Sequence, residues 1–162
     1  MTAPELLIRP AEDADSDAII ALIDLCWSAY PGVILDVDRE EPGLRRPASW
    51  FRERNGMLWT AWADAALAGI GGYTFHADGP EAELHKLYVH PDQRRGGLGR
   101  RLVALIEDTA RRRGARRIRL WSDTRFETAH RFYASLGYTR TDDIRALNDI
   151  SNSYEYHFVK AL

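Results

Sequence analysis

Residues 89–102 read Val-His-Pro-Asp-Gln-Arg-Arg-Gly-Gly-Leu-Gly-Arg-Arg-Leu, a strand end, a glycine-rich turn and a helix start without interruption. Glycines at 96, 97 and 99 let the backbone turn tightly and bring its N–H groups close to a bound group. The helix that follows aims the positive end of its dipole at the same place. The stretch therefore predicts an anion cradle, with diphosphate as its natural guest. Two familiar phosphate loops do not fit it: a Walker loop needs Gly-Lys-Ser/Thr after its spacing, and the dinucleotide fingerprint needs a third small residue where this chain has Leu102.

Upstream of the cradle, "MLWTAWA" (57–63) and "LAGIGGYTF" (67–75) read as two strands around a hairpin at Asp64-Ala65-Ala66. A second turn, Asp78-Gly-Pro80, leads to a third antiparallel strand, "EAELHKLYV" (81–89). Trp59 and Trp62 have opposite parity and so face opposite sides of the sheet as packing residues. Downstream, Leu98, Leu102, Leu105, Ile106 and Thr109 mark the buried stripe of a helix that ends at Arg113-Gly114. "RRIRLW" (116–121) is the next strand, and the intervening helix lets it run parallel to the strand ending at Val89. A helix from Glu127 to Leu136, stopped by Gly137, and the terminal strands "YTRTDDIRAL" and "YEYHFVKAL" complete this half.

At the other end, "ELLIR" (5–9), closed by Pro10, suits a first strand. A helix follows, capped by Asp15 or Ser16, with Ala18, Ile19, Leu22, Ile23, Cys26 and Trp27 on one stripe. Cys26 on that stripe is read as a small core hydrophobe without chemistry. From Tyr30 to Pro47 the periodicity fails and acidic residues gather at Asp36, Asp38, Glu40 and Glu41, which predicts a long irregular segment. A short helix, Ala48–Arg54, leads back to the strands. The order is β-α-α-β-β-β-α-β-α-β-β, an α/β chain with a mixed, mostly antiparallel sheet of about seven strands and about four helices.

The 162 residues are 45% hydrophobic, enough for one domain with its own core, and no repeat or linker suggests a second. A net charge of −2 and a pI of about 6.2 give no global field that would draw the chain to nucleic acid or an anionic membrane. The basic run at 111–119 straddles a helix end and a strand, which spreads its charges over several faces. A single cysteine, no apolar run long enough for a bilayer and nothing like a signal peptide point to the cytoplasm. The histidines lack metal-ligand spacing, so no metal is expected.

Arg94-x-x-Gly97-x-Gly99, its lead-in "LYVHP", and Ala129-x-x-Phe132-Tyr133-x-x-x-Gly137-Tyr138 together resemble the motifs of the GNAT superfamily of N-acetyltransferases. The element order resembles that superfamily's fold over nearly the whole chain. The resemblance implies acetyl-CoA as co-substrate and a primary amine of a small molecule as acceptor, with the segment between the first two helices walling the acceptor site. It places Arg94, Arg95, Gly96, Gly97, Leu98, Gly99 and Arg100 around the diphosphate, and the Leu87-Tyr88-Val89 backbone along the pantetheine where two strands splay apart. Tyr133 would protonate the departing sulfur. Glu83 matches the glutamate that serves histone-type members as base, and His85, expected on the same face, is the second candidate. On a regular strand 83, 85, 87 and 89 would share that face.

Two positions depart from the superfamily's pattern. Arg95 stands where many members carry a small residue, and Phe126 where many carry an asparagine that contacts the cofactor. A protein acetyltransferase and a catalytically idle CoA-binding module are the alternatives, and the terminal strands offer a route to a homodimer.

Overall fold

The computed structural model describes residues 5–76 and 79–162. Its strands are β1 Leu6–Pro10, β2 Met57–Ala63, β3 Ala66–Phe75, β4 Glu81–Val89, β5 Arg117–Asp123, β6 Thr139–Ala146 and β7 Tyr154–Ala161. They form one sheet in the order β1-β2-β3-β4-β5-β7-β6, antiparallel throughout except between β4 and β5. The expected class and order hold, and the parallel pair is the one bridged by a helix. Asp78, the first residue of the expected second turn, lies outside the described residues.

The helices are α1 Ser16–Trp27, α2 Val37–Glu40, α3 Pro47–Arg52, α4 Leu98–Arg112 and α5 Glu127–Ser135. The expectation of about four fell short by α2, a single turn inside the segment read as irregular. Asp36 caps it by accepting from Arg39 N (3.2 Å), a local bond that hydrophobic periodicity does not register.

The sheet separates two cores. On one face α1, α3 and Leu44 pack with Leu58, Leu67 and Ile70; on the other α4 and Tyr133 of α5 pack with Ala61, Leu84, Ile118 and Leu120. Trp59 joins the second core and Trp62 the first, as their parity requires. The glycines of β3 make room for α4: a Cβ on Gly71 would stand 3.1 Å from Leu87 and 3.2 Å from Ile106.

The buried face of α4 is wider than the sequence suggested. Leu98, Leu102 and Ile106 are buried as expected, but Val103, Glu107 and Ala110 join them, whereas Leu105 and Thr109 lie only half-buried at its margin. Glu107 tolerates burial because Tyr138 Oη donates to it (2.9 Å) and Lys160 Nζ lies 2.9 Å away. Both partners come from distant chain, so the residue type alone gave no sign of them.

The feature that decides the site lies in β4. Ile70 pairs with Tyr88 and Gly72 with His85, so Lys86 and Leu87 together stand opposite Gly71. Lys86 takes a left-handed φ of 57°, which costs a non-glycine residue about 1 kcal/mol or more. This bulge inverts the strand's alternation. Glu83, His85 and then Tyr88 face α1 and α3, while Leu87 and Val89 turn towards α4. The expectation that 83, 85, 87 and 89 share one face is thus wrong beyond His85, because it assumed a regular strand.

Candidate active site

Parallel pairing between β4 and β5 covers only Glu81–Glu83 against Arg117–Arg119 and then stops. The bulge bends β4 one way while β5 stays paired with β7 as far as Asp123, so the sheet splits. A cleft of about 940 Å³ runs through the split and reaches both faces. Leu87, Tyr88 and Val89 line it, at the divergence expected from the sequence.

On the α4 face lies the cradle. Gly97 caps α4 at φ 81°, and a Cβ built on it would meet nothing within 4 Å, so the space above it is open. Arg101 N is the first to bond back within the helix, to Gly97 O (3.0 Å), which leaves the preceding N–H groups for a guest. Leu98 is fully buried and anchors the turn, so only its backbone is available. Gly99 serves packing: a Cβ there would stand 3.1 Å from the Phe132 ring. Gly96 is exposed and is absent from the cleft wall, although its neighbours Arg95 and Gly97 line it.

Arg95 occupies the turn at φ 77°, the left-handed conformation that a glycine would take without strain. Arg94 folds back, its Nε donating to Val89 O (3.3 Å) and its Nη2 lying 3.8 Å from Cys26 Sγ. Arg100 is exposed beside the cleft. Phe126 packs on Tyr30 with ring centroids 4.7 Å apart and closes the side wall by apolar contact, where a polar residue was expected from the superfamily.

Tyr133 lies between these parts. Phe132, Tyr138 and Phe158 hold its ring, it lines the cleft, and its hydroxyl has no partner among the described residues. Burial raises its pKa well above the usual phenol value, so it stays protonated.

On the opposite face Glu83 and His85 meet. Glu83 is buried; its Oε1 accepts from Arg119 Nε (3.0 Å) and its Oε2 lies 2.7 Å from His85 Nε2. Burial by itself would raise its pKa, but the His85 hydrogen bond and the charges of His85, Arg119 and His76 outweigh that and hold it at about 2. His76 Nε2 stands 3.4 Å from the same carboxylate. Neither Arg119 nor His76 was singled out from the sequence; the parallel register sets Arg119 opposite Glu83, and its position in "RRIRLW" said only that it lay on a strand.

Acidic and aromatic groups dominate this end. Trp27, Tyr30, Trp50 and Trp121 line it with Asp36, Glu40 and Asp149. Residues of the 30–47 segment line it, and three bonds tie that segment to the β6–β7 connection: Ile34 N donates to Ser151 Oγ (2.8 Å), Ser151 Oγ donates to Ile34 O (3.3 Å) and Ile150 N donates to Glu40 Oε2 (2.9 Å). Arg125 braces that connection from below, paired with Asp123 and donating to Ser153 Oγ (3.0 Å). Among the described residues there is no group of three or more His, Cys, Asp or Glu that could hold a metal ion.

The fold has close counterparts among solved proteins. An acetyltransferase of the GNAT family from Staphylococcus aureus Mu50 superposes with a TM-score of 0.84 at 18% identity, covering 98% of this chain and 99% of that one. The PaiA N-acetyltransferase from Thermoplasma acidophilum, solved with coenzyme A, gives 0.75 at 20% identity, covering 98% and 99%. In sequence, a protein named mycothiol acetyltransferase from Thermobispora bispora is 41% identical over 152 residues, which cover 86% of this chain and 50% of that protein. The chain thus spans about half the length of that relative. The family described as Acetyltransferase (GNAT) family matches residues 19–138, a span that runs from α1 through the cradle and Tyr133 to Tyr138. The chain therefore belongs to the acetyltransferase (GNAT) family.

Proposed function

We propose that the chain is one acetyltransferase domain that moves an acetyl group from acetyl-CoA to the primary amine of a small molecule by direct attack within a ternary complex. One observation carries this reading: the split between β4 and β5 joins a cradle of free backbone N–H groups on one face to an acidic, aromatic compartment on the other, with a protonated tyrosine between them.

The cradle suits the co-substrate, because open space over Gly97, unpaired N–H groups and Arg95 and Arg100 at the rim are what a diphosphate needs. Acetyl-CoA supplies an activated acetyl thioester. This chain's residues supply the rest. Backbone N–H groups of the diverging 87–89 stretch polarise the carbonyl oxygen as it gains charge. A base on the acceptor face of β4 removes the amine's proton, and Tyr133 Oη returns one to the sulfur as it leaves.

Asp36, Glu40 and Asp149 favour an acceptor that arrives as an ammonium ion. The ties between the 30–47 segment and the β6–β7 connection favour a walled pocket for a small molecule over an open groove for a protein. The intact Tyr133 speaks against an idle CoA-binding module.

The compartment belongs to the same proposal. Among the described residues no helix is long and apolar enough to cross a membrane, and acetyl-CoA is a cytoplasmic metabolite. A homodimer is proposed along β6, where Ile144 and, beyond the strand, Leu147, Ile150 and Tyr154 expose apolar surface. The bulge between Arg140 and Ile144 confines strand addition to Ile144–Ala146. A sedimentation coefficient that falls to the monomer value with Ile144→Lys supports it; a monomer at every concentration removes it.

Screening an amine panel for free-thiol release from acetyl-CoA tests the activity. Amine-dependent release is expected. Binding of acetyl-CoA with no release for any amine would leave the idle-module reading in its place.

A further inference from the structure

The base can be assigned from the hydrogen bonds around it. The Glu83 carboxylate is fixed from three sides: Arg119 Nε at 3.0 Å and His76 Nε2 at 3.4 Å on Oε1, and His85 Nε2 at 2.7 Å on Oε2. An ionised carboxylate only accepts hydrogen bonds, so the 2.7 Å contact puts the proton on Nε2 of the imidazole, where Thr74 Oγ1, 3.0 Å away, is a second acceptor. In the neutral ring the lone pair then belongs to Nδ1, which has no partner among the described residues. Trp50 and Phe51 hold the ring edge-on with centroids 5.7 and 6.1 Å away, and the residue lines the cleft.

We propose that His85 Nδ1 is the atom that takes the proton from the attacking amine, directly or through one water, and that Glu83 is a positioning residue that holds the imidazole in the required tautomer and stabilises its charged form. This deepens the acetyltransferase reading and rests on it.

The proton count closes. An acceptor that arrives as an ammonium ion first loses one proton to solvent; the neutral amine nitrogen then forms its bond to the acetyl carbon and gives a second proton to His85 Nδ1, while the carbon–sulfur bond breaks and the sulfur gains the Tyr133 proton. The imidazolium, a donor at both nitrogens, keeps its bond to Glu83 and loses its extra proton to solvent as the phenolate is reprotonated. Glu83 is the poorer candidate, because Arg119 occupies its Oε1 and His85 its Oε2, and a carboxylate held at about 2 has little driving force to take a proton from an amine near neutral pH.

The groups whose charges act on the pair are Glu81 and Lys86 on β4, His76 after β3, Arg117 and Arg119 on β5, and Glu41, which pairs with Lys86. The nearest cation to Glu83 besides His85 is Arg119, so removing the Glu83 charge leaves His85 near a guanidinium offset only by Glu81, 3.3 Å from Arg119 Nε. Its protonation must then become harder.

Two measurements decide the matter. Nitrogen-15 NMR of the histidine side chains reads the tautomer and protonation midpoint of His85 without any acceptor. The Nε2–H form is expected in the wild type, with a midpoint that falls in Glu83→Gln as the carboxylate charge is lost. The pH profile of kcat/KM, with any amine found active, should keep its acidic limb in Glu83→Gln but at lower pH. His85→Gln should lose that limb and about a hundredfold or more in turnover, with acetyl-CoA affinity retained. An Nδ1–H tautomer, or a limb lost in Glu83→Gln and kept in His85→Gln, overturns the assignment in favour of Glu83. If no amine is active while the NMR result holds, the acetyltransferase reading fails and the coupled pair stands. If amines are active and neither variant alters the profile, the transferase stands and the pair is structural.

Discussion

At the scale of single residues, Tyr133 offers the cleanest separation of chemistry from structure. Tyr133→Phe keeps the ring among Phe132, Tyr138 and Phe158 and removes only a hydroxyl that bonds to nothing else described. The fold should keep its melting temperature, acetyl-CoA affinity should be unchanged, and turnover should fall roughly tenfold to a thousandfold, since the hydroxyl is proposed to act on a charge that develops late. Steady-state rates and a binding isotherm on this one variant check it; unaltered turnover would make Tyr133 a packing residue. Glu83 yields a prediction of stability instead. Its folded-state pKa of about 2 lies below the ordinary 4.5, so its contribution is complete above pH 4.5 and is lost as pH falls through about 2. Unfolding midpoints of the wild type and Glu83→Gln should therefore differ most above pH 4.5 and converge across that window; a constant difference would show that the network around Glu83 contributes no charge-dependent stability. Both residues were legible in the sequence as candidates. Their environments were not, because Arg119 and Phe158 lie tens of residues away along the chain, and His76 reaches Glu83 only through the pairing of β3 with β4.

At the scale of elements, the glycine turn that opens α4 was readable because its needs are local: glycine where φ is positive and a helix immediately after. Gly97 meets the first need at φ 81°. Gly97→Ala should cost about 1 kcal/mol through strain alone, since the space above the residue is open. Gly97→Asp adds a carboxylate where the proposed diphosphate would sit. At a hundredfold excess over its dissociation constant acetyl-CoA stabilises a binding-competent fold by about 2.7 kcal/mol. That gain should be largely kept by Gly97→Ala and abolished by Gly97→Asp, as read by thermal unfolding with and without the co-substrate; an undiminished gain in the aspartate variant would place the cradle elsewhere. The bulge at Lys86 shows the other limit of sequence reading. Lysine carries no preference for φ 57°, and "EAELHKLYV" alternates acceptably as a regular strand, so nothing local announced the inversion. It is imposed by the pairing of β3 with both halves of β4, and it is what splits the sheet and turns Tyr88 towards Trp27, whose Nε1 donates to its hydroxyl (3.0 Å). The one-turn helix α2 escaped for a related reason, being fixed by an aspartate cap and tied to distant chain at Ile34 and Glu40 rather than by a stripe of its own.

At the scale of the whole molecule, the sheet sets the two ends of the cleft on opposite faces and joins them where β4 and β5 part, an arrangement that suits the proposed direct transfer better than an acetylated enzyme. A covalent route would need a nucleophile at the junction, and the candidate there is Cys26, which lines the cleft beside Arg94. Its chemistry is unfavourable. Burial raises its thiol pKa despite the opposing pull of Arg94, so little thiolate exists near neutral pH, and its Sγ lies 3.6 Å from the carbonyl oxygen of Val89. The side chain also belongs to the α1 core with Ile19, Leu22 and Ile23, which is reason enough for a small apolar residue at this position. Initial-rate plots at several fixed amine concentrations should therefore intersect, as they do when both substrates must be bound together. Cys26→Ala should turn over within about threefold of the wild type once its lower stability is allowed for. Mass spectrometry of protein mixed with acetyl-CoA alone should find no added acetyl group. Parallel lines together with an acetyl adduct that Cys26→Ala removes would mean that the thiol is the first acceptor, and the sheet would then be serving to shield a covalent intermediate.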